Sequence, residues 1–235
     1  LPVRELACQV VACDDVGGDV FRLRLQAPAG KVPRYHAGQY LLLQRDGDDY
    51  AAFSLASAPH RGRELELHVL ARDEATVELI AQLRRTGLVR VKMPFGDTHL
   101  AELPDGPLVL IAAGTGMAQM HSLIEHCRAA GFAHPVHLYW GARRPDDFYT
   151  LEHWAQWQQV ANLFLHQVVS DQCGWQGRCG LLHEAVREDF ADLKALHLYA
   201  SGSPAMVYAT LDALVDAGMD AHQMRADVFA YAPRG

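Results

Sequence analysis

Gly114-Thr115-Gly116 follows the apolar run Leu108 to Ala113 and precedes a helical pattern. A glycine turn between a strand and a helix can bind a pyrophosphate. The glycines let the backbone approach the ligand, and the helix start offers free N–H groups and a positive dipole end. The full three-glycine fingerprint is not met, because Gln119 stands at the third glycine. After the next strand come Arg143 and Arg144. Nucleotide-binding domains use that place to meet an adenosine ribose or its phosphate. In Tyr50-Ala51-Ala52-Phe53-Ser54-Leu55-Ala56-Ser57, the Ser54 hydroxyl can hydrogen-bond a heterocycle. Near the C-terminus Phe229 and Tyr231 fall on one face if Asp227 to Tyr231 is a strand, where aromatics stack on a planar group or on the core. No Ser–His–Asp arrangement is legible. The thirteen histidines contain no H-E-x-x-H, and the five cysteines no C-x-x-C, so no metal site is expected.

These residues need elements to position them. Val20 to Leu25, Tyr40 to Leu43, Leu65 to Val69 and Val89 to Val91 read as short strands, the first, third and fourth by two-residue alternation. Their spacing predicts an antiparallel barrel or sandwich, with Gly38 and Gly96 at bulges or corners. One helix interrupts them between Thr76 and Gly87. The character changes after Leu103. Pro104-Asp105-Gly106-Pro107 reads as a hinge, and the run Leu108 to Ala113 is apolar on both faces, as a parallel sheet requires. Strands at Val136 to Trp140, Phe164 to Val169 and His197 to Ala200 alternate with helices, one carrying Met120, Leu123, Ile124 and Cys127, another at Met206 to Asp216. That alternation predicts an α/β doubly wound parallel sheet. Two domains are expected, 1–103 and 104–235.

The 235 residues can bury a full core without staples. Lys and Arg number 21 against 28 Asp and Glu, a net charge of −7, which disfavours nucleic acid or an anionic membrane as the main partner. No apolar run approaches the ~20 residues of a membrane helix, and the N-terminus does not resemble a signal peptide. An odd cysteine count in a chain with a full core predicts reduced thiols and a cytoplasmic protein.

The motifs become specific in their order: His36-Ala37-Gly38-Gln39-Tyr40, Phe53-Ser54-Leu55-Ala56-Ser57, Met93-Pro94-Phe95-Gly96, Ala113-Gly114-Thr115-Gly116, Tyr139-Trp140-Gly141-Ala142-Arg143, Ser201-Gly202-Ser203-Pro204-Ala205-Met206 and the aromatic C-terminus. Over almost the whole chain this resembles the ferredoxin–NADP reductase superfamily, most closely its NAD(P)H:flavin reductase branch. The resemblance implies a flavin-binding barrel followed by a domain for NADH or NADPH, with hydride passing between the two cofactors in the cleft. It places Phe53, Ser54, Leu55 and His68 along the flavin, with Ser54 as the catalytic candidate near N5. Gly114, Thr115 and Gly116 hold the pyrophosphate, Arg143 meets the adenosine half, Ser201 and Gly202 lie near the nicotinamide, and Phe229 or Tyr231 covers the flavin.

Three positions depart from the family pattern. Ala51 stands where an arginine normally serves the flavin. Ala71-Arg72-Asp73-Glu74-Ala75-Thr76 replaces a glycine-rich, serine-ending loop that grips flavin pyrophosphate. Ser201 replaces a common cysteine. The first two losses predict a flavin (riboflavin, FMN or FAD) held loosely, as diffusible substrate, with Arg72 the one cation able to offset them. The implied activity is an NAD(P)H:flavin oxidoreductase supplying reduced flavin to a partner oxygenase or decarboxylase system. The alternatives are an FAD-containing reductase passing electrons to an iron–sulfur domain or ferredoxin-type protein, and a nucleotide-binding module without activity. Leu1-Pro2-Val3-Arg4 resembles the linker after such an iron–sulfur domain, so this chain could be part of a longer one.

Overall fold

A computed structural model describes residues 1–235. Six strands form an antiparallel sheet: β1 (Arg4–Asp15), β2 (Val20–Gln26), β3 (Tyr40–Asp46), β4 (Asp49–Ser54), β5 (Glu64–Leu70) and β6 (Leu88–Phe95). Their order is β4-β3-β6-β1-β2-β5, and the sheet curls into a half-barrel. Its free edges approach where Ala56 N donates to Glu66 O at 2.8 Å. Leu23, Leu25, Leu41, Leu43, Leu65, Leu67 and Val91 alternate inward and are fully buried, which is the period-2 pattern read in the sequence. β1 escaped that pattern because the register with β2 shifts between Val10 and Ala12, a bulge that interrupts the alternation. The β3–β4 hairpin turns at Gly47, φ +52°. Helix α1 (Glu74–Thr86) is capped by Asp73, whose side chain accepts from Thr76 N, and ends at Gly87 in the left-handed region.

The second half begins with β7 (Leu108–Ala113), followed by a single 3-10 turn, Gly114–Gly116, and α2 (Met117–Ala129). Next come β8 (Val136–Ala142), the short α3 (Trp154–Trp157), β9 (Leu163–Val169), β10 (Arg178–Cys179), α4 (Leu182–Asp189), β11 (His197–Ser201), α5 (Pro204–Asp216), β12 (Met224–Arg225) and α6 (Val228–Tyr231). All pairs in this sheet are parallel, in the order β10-β9-β8-β7-β11-β12. Leu108 to Ala112 are completely buried, because helices cover both faces.

The structure corrects three expectations. Asp227 to Tyr231 is not a strand: α6 occupies Val228–Tyr231, where Tyr231 N and Ala232 N donate to Asp227 O and Val228 O in helical turns. α2 does not bury one stripe alone; Gln119, His121 and Ser122 are buried beside Met120, Leu123, Ile124 and Cys127, because the helix is wedged between sheet and half-barrel. Cys173 and Cys179 form a disulfide, their Cα atoms 5.1 Å apart, whereas Cys8, Cys13 and Cys127 are free as expected. The paired cysteines close a short loop before and into β10, a contact too local to need the framework of a small secreted domain.

Buried polar side chains join the two halves. Arg61 beside β5 donates to Glu125 of α2 at 2.8 Å and to Glu66 at 3.1 Å. His68 lies 2.9 Å from Glu66 and 2.8 Å from the Tyr149 hydroxyl. His121 Nδ1 donates to Ala56 O at 2.7 Å, and Ser122 to Ser57 O at 2.8 Å. Burial alone would raise the Glu66 carboxyl; the His68 hydrogen bond and the Arg61 charge overcome it and hold the group well below the usual carboxylate range. His121 is pushed below the ordinary histidine value by burial.

Candidate active site

At the rim of the parallel sheet, the ends of β7, β8 and β9 open into a cavity of about 380 Å³. That is within the size range of small-molecule sites, roughly 300–1,000 Å³. Gly114 and Thr115 form part of its wall, with Arg143, Ser170, and Met206 and Thr210 of α5. Gly114 has φ +57°, and a Cβ there would meet nothing within 4 Å, so the turn presents bare backbone to the cavity. Trp140 Nε1 donates to Gly114 O at 3.0 Å and fixes the turn from below. Gly116 serves closeness rather than openness: a Cβ would stand 2.3 Å from Ser201 O. The Gly114–Gly116 turn is thereby seated against the end of β11, and Ser201 and Gly202 come to the same rim. Arg143 is 81% exposed and paired with Asp171 at 2.7 Å. The predicted nucleotide residues Gly114, Thr115, Gly116, Arg143, Ser201 and Gly202 therefore share one rim.

A second cluster lies at the junction with the half-barrel. Ser54 ends β4, the open edge strand, directly opposite Tyr40 of β3. Tyr40 stacks on Phe95 with centroids 5.7 Å apart. Gly96 follows Phe95 with φ +97°; its Cβ would lie 3.1 Å from the Tyr40 ring and 3.3 Å from an Asp227 oxygen. Asp227 precedes α6, which carries Phe229 and Tyr231. Burial pushes the Asp227 carboxyl up to about 6, against hydrogen bonds from Thr98 and Gln119. Burial, and secondarily the Asp227 charge, also raise the Tyr40 and Tyr231 hydroxyls.

The structure places the other four flavin-side candidates as follows. Leu55 is fully buried in the half-barrel core, because the chain turns inward after the edge strand. His68 is enclosed by Glu66 and Tyr149 and holds the two halves together. Phe53 is half-buried, packed on the barrel core and opposite Leu41. Phe229 packs on Tyr208 at 5.5 Å and on the core of the parallel half, since helical rather than strand spacing turns it away from Tyr231. Tyr231 is 66% exposed and is the C-terminal ring facing outward. Sequence reasoning missed Gln119, Asp227 and Tyr40. Gln119 is fully buried. Its Nε2 donates to Gly38 O at 2.7 Å and to the Asp227 carboxylate at 3.2 Å. The signal was present: a glutamine where the fingerprint asks for glycine.

Comparisons with known proteins identify the family. A family model described as an oxidoreductase NAD-binding domain matches residues 110–212. The NAD(P)H-flavin reductase of Vibrio harveyi is 32% identical over 237 aligned residues, 96% of this chain and 99% of that protein. The chain belongs to the NAD(P)H-flavin reductase family. With it comes membership of the ferredoxin–NADP reductase superfamily. Reductase component 2 of terephthalate 1,2-dioxygenase from Comamonas sp is 31% identical over 92% of this chain but 66% of its own length. Among solved structures, the cytochrome P450 reductase GcoB of Amycolatopsis superposes with a TM-score of 0.88 at 29% identity, covering 96% of this chain and 70% of that one.

The residues present fit a nicotinamide nucleotide. They offer bare backbone at Gly114, the start of a 13-residue helix behind it and a cavity of sufficient size. They also fit the ring of a flavin, with a hydroxyl at Ser54 on an open edge and the exposed Tyr231 ring. They do not fit a tightly held flavin phosphate. Ala51 carries no charge, and the start of α1 is closed by its own Asp73, which accepts from Thr76 N at 2.8 Å, with Glu74 in the first turn. An anion finds two carboxylates there instead of free N–H groups.

Proposed function

We propose that this flavin reductase family member is an NAD(P)H:flavin oxidoreductase whose flavin is a diffusible substrate. The observation that carries the reading is the seating of the Gly114–Gly116 turn against β5. It sets a phosphate-ready turn of the nucleotide half directly on the flavin half. Bound together, NAD(P)H and flavin supply a two-electron donor and acceptor. The protein's own work is placement. Gly114 and Thr115 receive the pyrophosphate, Ser201 and Gly202 border the nicotinamide, and Arg143 meets the adenosine end. Ser54 offers a hydroxyl to the flavin ring, Tyr231 covers its open face, and Asp227 sets the charge behind them. The acidic start of α1 supports weak retention of the flavin tail. The Vibrio harveyi relative, 32% identical, is itself an NAD(P)H-flavin reductase, which supports the activity.

A second reading has its own support. Relatives such as the terephthalate dioxygenase reductase component are about half as long again as their match to this chain. In that reading the chain is the flavin and nucleotide part of a longer electron-transfer reductase serving an oxygenase or iron–sulfur partner. The visible spectrum of the purified chain, followed by NADH and NADPH oxidation with and without riboflavin, FMN or FAD, separates the two. A colourless protein active only with added flavin is expected. A yellow protein that hardly turns over added flavin supports the second reading. Absence of oxidation with every flavin overturns both.

A further inference from the structure

We propose that Arg72, on the barrel side of the junction, is a phosphate-binding residue of the nicotinamide-nucleotide cavity, its ligand a pyrophosphate. The inference deepens the proposed function and rests on it for the identity of the nucleotide. Arg72 lies two residues beyond β5 and lines the same cavity as Gly114, Thr115 and Arg143. β5 also runs beside the Gly114–Gly116 turn, so the Arg72 guanidinium and the bare backbone of Gly114 belong to the same cavity wall although they come from different halves of the chain. A dianionic ligand between them would meet N–H groups on one side and a charged, forked donor on the other.

The surroundings aim Arg72 without consuming it. Gly17, Gly18 and Asp19 all have positive φ, of 90°, 60° and 61°. Asp19 is the chain's one non-glycine residue in that region, a conformation that L residues rarely adopt. The turn it makes brings Asp19 O to Ala71 N at 2.8 Å and the Asp19 carboxylate to Arg72 Nε at 3.1 Å. Gly18 allows the turn to touch the other half: a Cβ there would lie 2.8 Å from Asp147 O. Asp147 in turn holds Arg72 Nη2 at 3.3 Å. Both ion pairs are half-exposed, so each is weak and exchangeable. A pyrophosphate bearing two charges outcompetes them. The start of α1 is closed by Asp73, whereas the cavity wall carries Arg72 and Arg143 beside the single carboxylate of Asp147.

The test uses Arg72→Ala and Arg72→Lys in the whole chain, both with the parent's thermal midpoint. With riboflavin as acceptor, which carries no phosphate, Arg72→Ala is expected to raise the KM for the nicotinamide nucleotide about tenfold. Arg72→Lys should recover part of the loss, and kcat should stay within about twofold. Calorimetric titration with ADP-ribose, a pyrophosphate without the reactive ring, should show the same rise in Kd. This readout is independent of turnover, so it separates failure of the proposal from failure of the assigned activity. A rise in KM for FMN relative to riboflavin, with the nucleotide KM unmoved, would overturn the proposal and give the Arg72 charge to the flavin tail instead. Unchanged ADP-ribose binding together with unchanged KM for nucleotide and FMN overturns the proposal.

Discussion

At the residue scale, Ser54 and Asp227 illustrate two kinds of group. Ser54 was legible because a short motif precedes it, and the structure leaves its hydroxyl half-buried on the edge strand. Removing one hydrogen bond to the flavin ring costs about 1 kcal/mol. Ser54→Ala should therefore lower kcat/KM for flavin about five- to tenfold with little effect on nucleotide KM, as steady-state kinetics will show. Unchanged kinetics would remove Ser54 from the flavin face. Asp227 had no motif; its character comes from burial. Its carboxyl rises from 3.8 to about 6 on folding, so the fold favours the neutral form. Stability is full at acid pH and declines as pH rises through that window. Asp227→Asn, which stays neutral, should be more stable than the parent at neutral pH by about 1 kcal/mol. The advantage should vanish below the ordinary aspartate range, as measured by denaturant midpoints across pH.

At the element scale, the turn after β7 shows why two neighbouring glycines differ. Gly116→Ala drives a Cβ to 2.3 Å from a backbone oxygen of β11. Neither strand nor helix can give way, so unfolding stability should fall by about 2–3 kcal/mol. Gly114→Ala meets no neighbour; it bears only the strain of positive φ, about 1–2 kcal/mol, and places a methyl where the phosphate approaches. Its larger effect should be on nucleotide KM. Equal stability losses in the two variants would contradict this division. Other elements were read unevenly. β7 and α5 announced themselves through a continuous apolar run and a helical stripe. β10 and β12 have two residues each, too short for any period. α6 alternates by accident, because a four-residue helix shows barely one turn of its own repeat.

At the scale of the whole molecule, the two halves are held in register by Arg61, Glu66, His68, His121, Glu125 and Tyr149. Folding keeps His121 neutral by burial, so the unfolded chain binds a proton more readily as pH falls through the histidine range. Folding also keeps Glu66 ionised below the usual carboxylate range, and that contribution is lost at lower pH still. Each of the two groups should therefore lose stability on acidification, His121 first, and His121→Gln should shrink the first loss, the rest of which belongs to other buried histidines such as His137. Glu66→Gln, which leaves Arg61 and His68 short of a buried partner, should cost about 3 kcal/mol at neutral pH. Denaturant titrations across pH would check both, and identical profiles for the parent and His121→Gln would refute the assignment of His121. No helix is long and apolar enough to cross a membrane. The sequence alone determined the succession of an antiparallel barrel and a parallel α/β sheet, the phosphate turn and the serine motif. Each is written in a local period or a few adjacent residues, which backbone geometry converts directly into structure. Only the tertiary structure decided that Gln119 clamps Asp227 across 108 positions, that His68 is a tie between halves, that Phe229 packs inward while Tyr231 faces out, and that Arg72 lines the same cavity as Gly114 and Thr115. Those outcomes depend on which distant surfaces the core brings together, and no local repeat encodes that.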